Sequence, residues 1–244
     1  MNNFIKIEKI SKSYKHVPVL EEISFEMQKG RIYGFVGPNG AGKTTTIKVL
    51  SGLTKQDSGK IMYENKHVSN LYEAMNGKLG ALVNEPSFYG DLSAEENLKV
   101  VSILKGIGED DIPEILEVVG LKDAGKKKCK NFSLGMKQRL GIAEALIGKP
   151  QLLILDEPIN GLDPQGVYEI RKLITELREK YGTTIMISSH ILNELEMVCE
   201  ELIIIDGGRI KFCGNLDKLK MLTNSDKLEE CYFKILGGAS NGKA

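Results

Sequence analysis

Four short apolar runs punctuate the chain: Ile32 to Val36, Leu152 to Leu155, Thr184 to Ile187 and Leu202 to Ile205. Each is bounded by polar or turn residues, and each is rich in Ile, Leu or Val. Runs this brief predict strands buried on both faces, as in a parallel sheet. Helical spacing appears between them. Thr44 to Leu50 follows the first run, and Ile191 to Cys199 follows the third. Val167 to Lys180 places Val167, Ile170, Ile174 and Leu177 along one helical stripe. Strands alternating with helices predict an α/β fold with helices on both faces of a sheet. From about Glu85 to Gly148 the alternation stops. Two helix-like segments, Ala94 to Lys105 and Pro113 to Val119, predict a helical lobe inserted into the α/β core. Ile5 to Glu26 alternates apolar and polar positions, which predicts antiparallel strands beside the main sheet. Beyond Gly214 the pattern weakens. Residues 1–220 therefore read as one domain and 221–244 as a short extension. Its tail, Gly237 to Ala244, is small and polar and is expected to be disordered.

Composition narrows the classes. The 244 residues are 41% hydrophobic, enough for a sizeable core. Lys and Arg together number 33, as do Asp and Glu, so no global charge favours a nucleic-acid partner. The lysine run Lys126-Lys127-Lys128, with Lys130, lacks interleaved aromatics and reads as a solvated loop. Cys129, Cys199, Cys213 and Cys231 are far apart. They argue for a reducing compartment and against a disulfide framework or zinc site. No apolar run approaches the ~20 residues that span a bilayer. Nor does the start, Met1 to Lys9, resemble a secretory signal. The expectation is a cytoplasmic chain, without direct membrane insertion, that meets a membrane only through a partner.

The chemistry concentrates in two places. Gly37-Pro38-Asn39-Gly40-Ala41-Gly42-Lys43-Thr44 fits G-x-x-x-x-G-K-[ST], between a predicted strand and a predicted helix. Glycines let successive backbone N–H groups curl inward around phosphate oxygens, and the helix aims its positive end at the same charge. Lys43 is placed to reach the β- and γ-phosphates. Thr44 is placed to hold Mg²⁺, with Thr45 beside it on the first helical turn. The second place is Leu152-Leu153-Ile154-Leu155-Asp156-Glu157, a buried strand ending in two carboxylates. Strand ends of open α/β sheets form ligand crevices. Asp156 is placed to orient Mg²⁺, and Glu157 to polarise the water that attacks the γ-phosphate. A P-loop NTPase follows from these two motifs together.

Further motifs resemble the ATP-binding cassette family over about Lys6 to Gly214, most of the chain. Phe132-Ser133-Leu134-Gly135-Met136-Lys137-Gln138-Arg139 resembles that family's Leu-Ser-Gly-Gly-Gln signature, departing at Leu134 and Met136 and keeping Ser133 and Gly135. Ser133 is a good cap for a helix running to about Ile147, whose start would attract an anion. Asn160-Gly161-Leu162-Asp163 resembles the D-loop, and Ser188-Ser189-His190 resembles the segment that carries the switch histidine. Tyr14 stands where the family stacks an aromatic on adenine. At the entrance of the helical lobe the family has a coupling glutamine; here Asn84 or Glu85 takes that place. The glutamate and the Ser-Leu-Gly-Met-Lys-Gln signature resemble the exporter subgroup that protects Gram-positive bacteria from bacitracin and lantibiotics.

The resemblance implies a RecA-like core with parallel sheet, an N-terminal antiparallel β subdomain and an inserted helical subdomain. It implies an ATPase that uses ATP and Mg²⁺. A second copy of itself, or a similar subunit, would pair with it, and transmembrane permease subunits would be its partners at the inner face of the cell membrane. Catalysis would fall to Glu157, His190 and Lys43, with Ser133, Gly135 and Asp163 serving the shared nucleotide. Alternatives are a soluble ATPase of the same group not coupled to transport, and a nucleotide-binding regulator without turnover. Lys43 and Ser133 are too close in sequence for the coiled coil of repair-type members. A GTPase would need an Asn-Lys-x-Asp motif, which is missing.

Overall fold

The computed structural model describes residues 4–237. Its ten strands are β1 Ile5–Tyr14, β2 Val17–Met27, β3 Ile32–Val36, β4 Ser58–Tyr63, β5 Lys66–Val68, β6 Leu79–Leu82, β7 Leu152–Asp156, β8 Thr184–Ser189, β9 Glu201–Asp206 and β10 Arg209–Asn215. The α-helices are α1 Lys43–Leu50, α2 Leu71–Ala74, α3 Ala94–Lys105, α4 Ile112–Val118, α5 Leu134–Leu146, α6 Pro164–Tyr181, α7 Leu192–Glu196, α8 Leu216–Thr223 and α9 Leu228–Ile235. The main sheet runs β10-β9-β3-β8-β7-β6, and a second, antiparallel sheet runs β2-β1-β4-β5. All four apolar runs become neighbouring parallel strands of the main sheet.

The reason lies in which way the side chains face. Leu153 and Leu155 of β7 join one hydrophobic cluster with α3, α4, α5 and α6. Ile154, between them, joins the other cluster, with β1, β2 and α1. Ile185 and Ile187 of β8 part from Met186 in the same way. Alternate residues point to opposite faces, and both faces are covered, so each strand must be apolar throughout.

The inserted lobe is built from α3, α4, α5 and two 3₁₀ turns, Lys122–Ala124 and Cys129–Asn131. Ser93 and Glu96 form a reciprocal cap at the start of α3, which satisfies helix N–H groups that would otherwise lack partners. Asn97 is buried and ties the lobe entrance down. Its amide donates to the carbonyls of Tyr89 (3.1 Å) and Ser93 (2.9 Å), and its carbonyl accepts the Tyr89 N–H (2.8 Å). Lys126, Lys127, Lys128 and Lys130 are exposed around buried Cys129. All four cysteines are free thiols.

After Gly214 the chain forms α8 and α9, whose Leu219, Leu228, Cys231 and Tyr232 complete the helical cluster. Packing thus continues past residue 220 to the end of α9. The polar tail expected to be disordered lies, from residue 238 on, outside the described residues. Among the described residues no helix is long and apolar enough to cross a membrane.

One half-buried pair inside the lobe gives a pH-dependent stability. Burial pushes the Glu144 carboxyl of α5 up to about 7, and Lys105 only partly opposes this. The Lys105 ammonium is held down by its own burial, and it donates to the carbonyls of Glu144 (3.3 Å) and Ile147 (3.1 Å) at the end of α5. The folded chain therefore keeps the Glu144 proton to near pH 7, whereas the unfolded chain releases it near 4.5. Folding takes up a proton between those values, so stability falls as pH rises through that window. Glu144→Gln should exceed the parent melting temperature by about 5 °C at pH 8, with no difference at pH 4. Calorimetry at the two pH values checks this, and an equal gain at both would exclude Glu144 as the titrating group.

Candidate functional site

Three adjacent strands end together. Val36 of β3 pairs with Ser189 of β8, and Ser188 pairs with Asp156 of β7. This register brings the phosphate loop, the two carboxylates and the Ser-Ser-His segment to one edge of the sheet. They surround an open cleft of about 370 Å³, lined by Asn39, Gly40, Gly42, Lys43, Thr44, Thr45, Glu157, Asn160 and His190, with Val19 from β2.

The loop needs its glycines. A Cβ at Gly37 would sit 2.1 Å from the Ile205 carbonyl oxygen. Gly42 has φ 107° and would drive a Cβ to 2.6 Å from Leu20, so a side chain is excluded by strain and by space. Gly42 caps α1, so the helix begins at Lys43 and opens its first N–H groups to the cleft. Lys43 is buried. Its ammonium donates to the carbonyls of Gly37 (2.7 Å) and Pro38 (3.3 Å) and lies 3.9 Å from Glu157 Oε1.

The acidic strand end is held from β8. Asp156 is 4% exposed, and its Oδ1 accepts a hydrogen bond from Ser188 Oγ at 2.5 Å. Glu157 adopts the left-handed backbone region, φ 51°. Its carboxylate turns into the cleft, where Oε2 lies 2.8 Å from His190 Nδ1.

Other predicted residues stand apart from this cleft. Ser133 is exposed and caps α5, accepting the Met136 N–H (3.3 Å); Gly135 is in the first turn of the same helix. Asp163 caps α6 through Oδ1 and the Gly166 N–H (2.9 Å). The starts of these two helices are neighbours, since a Cβ at Gly161 would lie 3.3 Å from Leu134. Tyr14 ends β1, 44% exposed, with the Lys12 ammonium 5.6 Å above its ring. Asn84 and Glu85 are exposed in a bend just after β6. Leu82 pairs with Leu155, so that bend lies level with Glu157 at the same sheet edge. Val19 stands outside every sequence motif, while Asn160 and Ser188 lie in the D-loop-like and histidine segments without a site role of their own there. Ser188 did carry a signal, a hydroxyl inside a buried strand.

A phosphate-binding loop, a helix start and a paired carboxylate and histidine in one cleft define a nucleoside-triphosphate hydrolase. The sequence pattern of the ABC transporter family matches residues 20–160, more than half of the chain. The lantibiotic transport ATP-binding protein SrtF of Streptococcus pyogenes is 43% identical over 228 residues, covering 93% of this chain and 95% of its own. The bacitracin transport ATP-binding protein BcrA of Bacillus licheniformis is 45% identical over 212 residues, covering 86% of this chain and 69% of its own. Among solved structures, an ATP binding subunit of an ABC transporter superposes with a TM-score of 0.84 at 30% identity, covering 96% of this chain and 99% of its own. The chain belongs to the ABC transporter family, as an ATP-binding, ATP-hydrolysing subunit.

Proposed function

We propose that the chain drives export of a peptide antibiotic, or a similar toxic compound, through separate transmembrane permease subunits. It would work at the inner, cytoplasmic face of the cell membrane as a head-to-tail pair with a second copy or a similar subunit. The convergence of Lys43, Thr44, Glu157 and His190 in one cleft, while Ser133 caps a helix outside it, carries this reading. One copy holds the triphosphate, and the other offers its capped helix start to the γ-phosphate.

The roles follow from the groups present. Lys43 exchanges its carbonyl partners for the β- and γ-phosphates, which the loop's N–H groups from Gly37 to Gly42 also bind. The hydroxyl of Thr44 and the carboxylate of Asp156 form an all-oxygen donor set that suits Mg²⁺ with several waters retained. When bound there, the ion neutralises phosphate charge and fixes its orientation. Glu157 accepts a proton from the attacking water, and His190 contacts the γ-phosphate and orients that carboxylate. Ser133 and Gly135 act across the pair, Asp163 secures the loop between the two sites, and Tyr14 stacks on adenine. The bend at Asn84 and Glu85, level with Glu157, passes the state of the site to the lobe and so to the permease. Positioning and charge stabilisation supply most of the catalysis.

The antibiotic assignment is supported by the likeness to SrtF and BcrA. Its test is susceptibility. A strain lacking this chain should become about tenfold more sensitive to bacitracin or a lantibiotic, if active export is what lowers the intracellular or membrane dose. The intact chain should restore resistance, and Glu157→Gln should not. Unchanged susceptibility would remove the antibiotic assignment and leave the ATPase standing.

A further inference from the structure

We propose that Ser188 is a positioning residue for ATP hydrolysis, setting the Asp156 carboxylate and the Glu157 backbone through one hydroxyl. The proposal rests on the roles given above to those two acids. Ser188 is the penultimate residue of β8 and is 0% exposed. The residues before it, Ile185, Met186 and Ile187, are apolar, as a strand covered on both faces requires. A hydroxyl in that position is unfavourable unless it is bonded. Here it is bonded twice. Ser188 Oγ donates to Asp156 Oδ1 at 2.5 Å and accepts the Glu157 N–H at 2.9 Å. The Ser188 carbonyl also accepts that N–H, at 3.2 Å.

Each bond answers a local need. Asp156 is a nearly buried carboxylate, and a donor–carboxylate bond is shorter and stronger than a neutral one. The donor is an uncharged hydroxyl, so the bond brings no counter-charge to the carboxylate. With Oδ1 engaged, the carboxylate cannot rotate freely, and its other oxygen has a fixed aim. Glu157 is held in a left-handed conformation that a non-glycine residue adopts at a cost and keeps only where neighbours enforce it. That conformation turns its carboxylate into the cleft toward His190 Nδ1. One serine thus couples the aim of the two acids, one given to the metal and the other to water. Neither bond is a property of β7 alone, because both require the parallel register of β7 on β8.

The test compares Ser188→Ala and Ser188→Thr with Thr184→Ala. Thr184 is equally buried, at the far end of the same strand, where its hydroxyl accepts the Gly30 N–H (2.9 Å). Thr184→Ala therefore reports what loss of a buried hydroxyl does to the strand. Ser188→Ala should lower kcat at least about tenfold while KM for ATP moves less than about threefold. Mn²⁺ serves as a spectroscopic probe of the metal position. By electron paramagnetic resonance, its affinity in the presence of ATP should fall about fivefold in Ser188→Ala, whereas metal-free ATP binding should hold. Thr184→Ala should keep kcat within about twofold, and Ser188→Thr, which retains the hydroxyl on a strand-favouring residue, should restore it to within about threefold.

The proposal is overturned if Ser188→Ala keeps both kcat and Mn²⁺ affinity. It is also overturned if Thr184→Ala loses as much activity at the same melting temperature, or if a Ser188→Thr variant with parental melting temperature stays inactive. If Glu157→Gln turns over normally, the assignment of the acids fails first. If Glu157→Gln is inactive and Ser188→Ala is not, only the serine's role is lost.

Discussion

Glu157→Gln should bind ATP as the parent does, hydrolyse it at least about a hundredfold more slowly, and accumulate as an ATP-bound dimer. The substitution preserves shape and leaves an oxygen to accept a hydrogen bond from His190, now 2.8 Å from the carboxylate. It removes the negative charge that the proposed role as a base requires. The variant loses the 3.9 Å ion pair between Lys43 and Glu157, but Lys43 keeps its hydrogen bonds to the carbonyls of Gly37 and Pro38, so the phosphate loop should hold. The backbone at Glu157 should also hold, because its N–H is bound by the hydroxyl and carbonyl of Ser188, which the substitution leaves in place. On the proposed pairing, a triphosphate that is bound but not cleaved keeps its γ-phosphate link between the two molecules, so the pair should persist on size exclusion with Mg²⁺ and ATP. Parental turnover in this variant would take the base role away from Glu157. A strictly monomeric, nucleotide-free variant would remove the clamp altogether.

The parallel core was legible because burial on both faces leaves a simple mark. A strand such as β7 is apolar at each of its first four positions, Leu152 to Leu155, and ends at its fifth residue, Asp156. The phosphate loop was legible because its glycines answer a backbone requirement that no other residue meets. Less was visible where the signal is short or tertiary. The run at β6 spans only four residues and contains Gly80, whose hydrogen faces the Ala145 carbonyl too closely for any Cβ. The α6 helix starts at Pro164 rather than at Val167, because the cap Asp163 and a proline at the first position precede the apolar stripe. Helices α8 and α9 are eight residues each, and they expose Met221, Leu222 and Phe233 beside their buried faces, which blurs the periodicity. In the site, His190 could be singled out by its motif, but its bond to Glu157 could not. Ser188 reaches both acids across 31 and 32 residues of sequence, through strand register alone. Local pattern singles out the candidate groups, and register decides which of them meet.

The distance of Ser133 from the cleft makes Ser133→Arg the most direct measurement of the proposed shared site. Ser133 is exposed at the N-cap of α5 and does not line the cleft of its own chain. An arginine there should leave ATP affinity of the single chain within about twofold, since no group that lines the cleft changes. The cost to the fold is the lost cap, about 1 kcal/mol, which melting will show as a few degrees. Across the pair the effect should be far larger. The helix start proposed to offer N–H groups to the partner's γ-phosphate would be covered by a long side chain, and on that pairing two molecules could no longer close on one nucleotide. Dimer formation should be lost and hydrolysis should fall at least about a hundredfold. The cleanest reading places Ser133→Arg on the Glu157→Gln background, where the parent dimer is long-lived. The double variant should elute as an ATP-loaded monomer. If it still elutes as a dimer with ATP bound, the γ-phosphate is not being held by the capped start of α5, and the head-to-tail pairing must be replaced by another geometry.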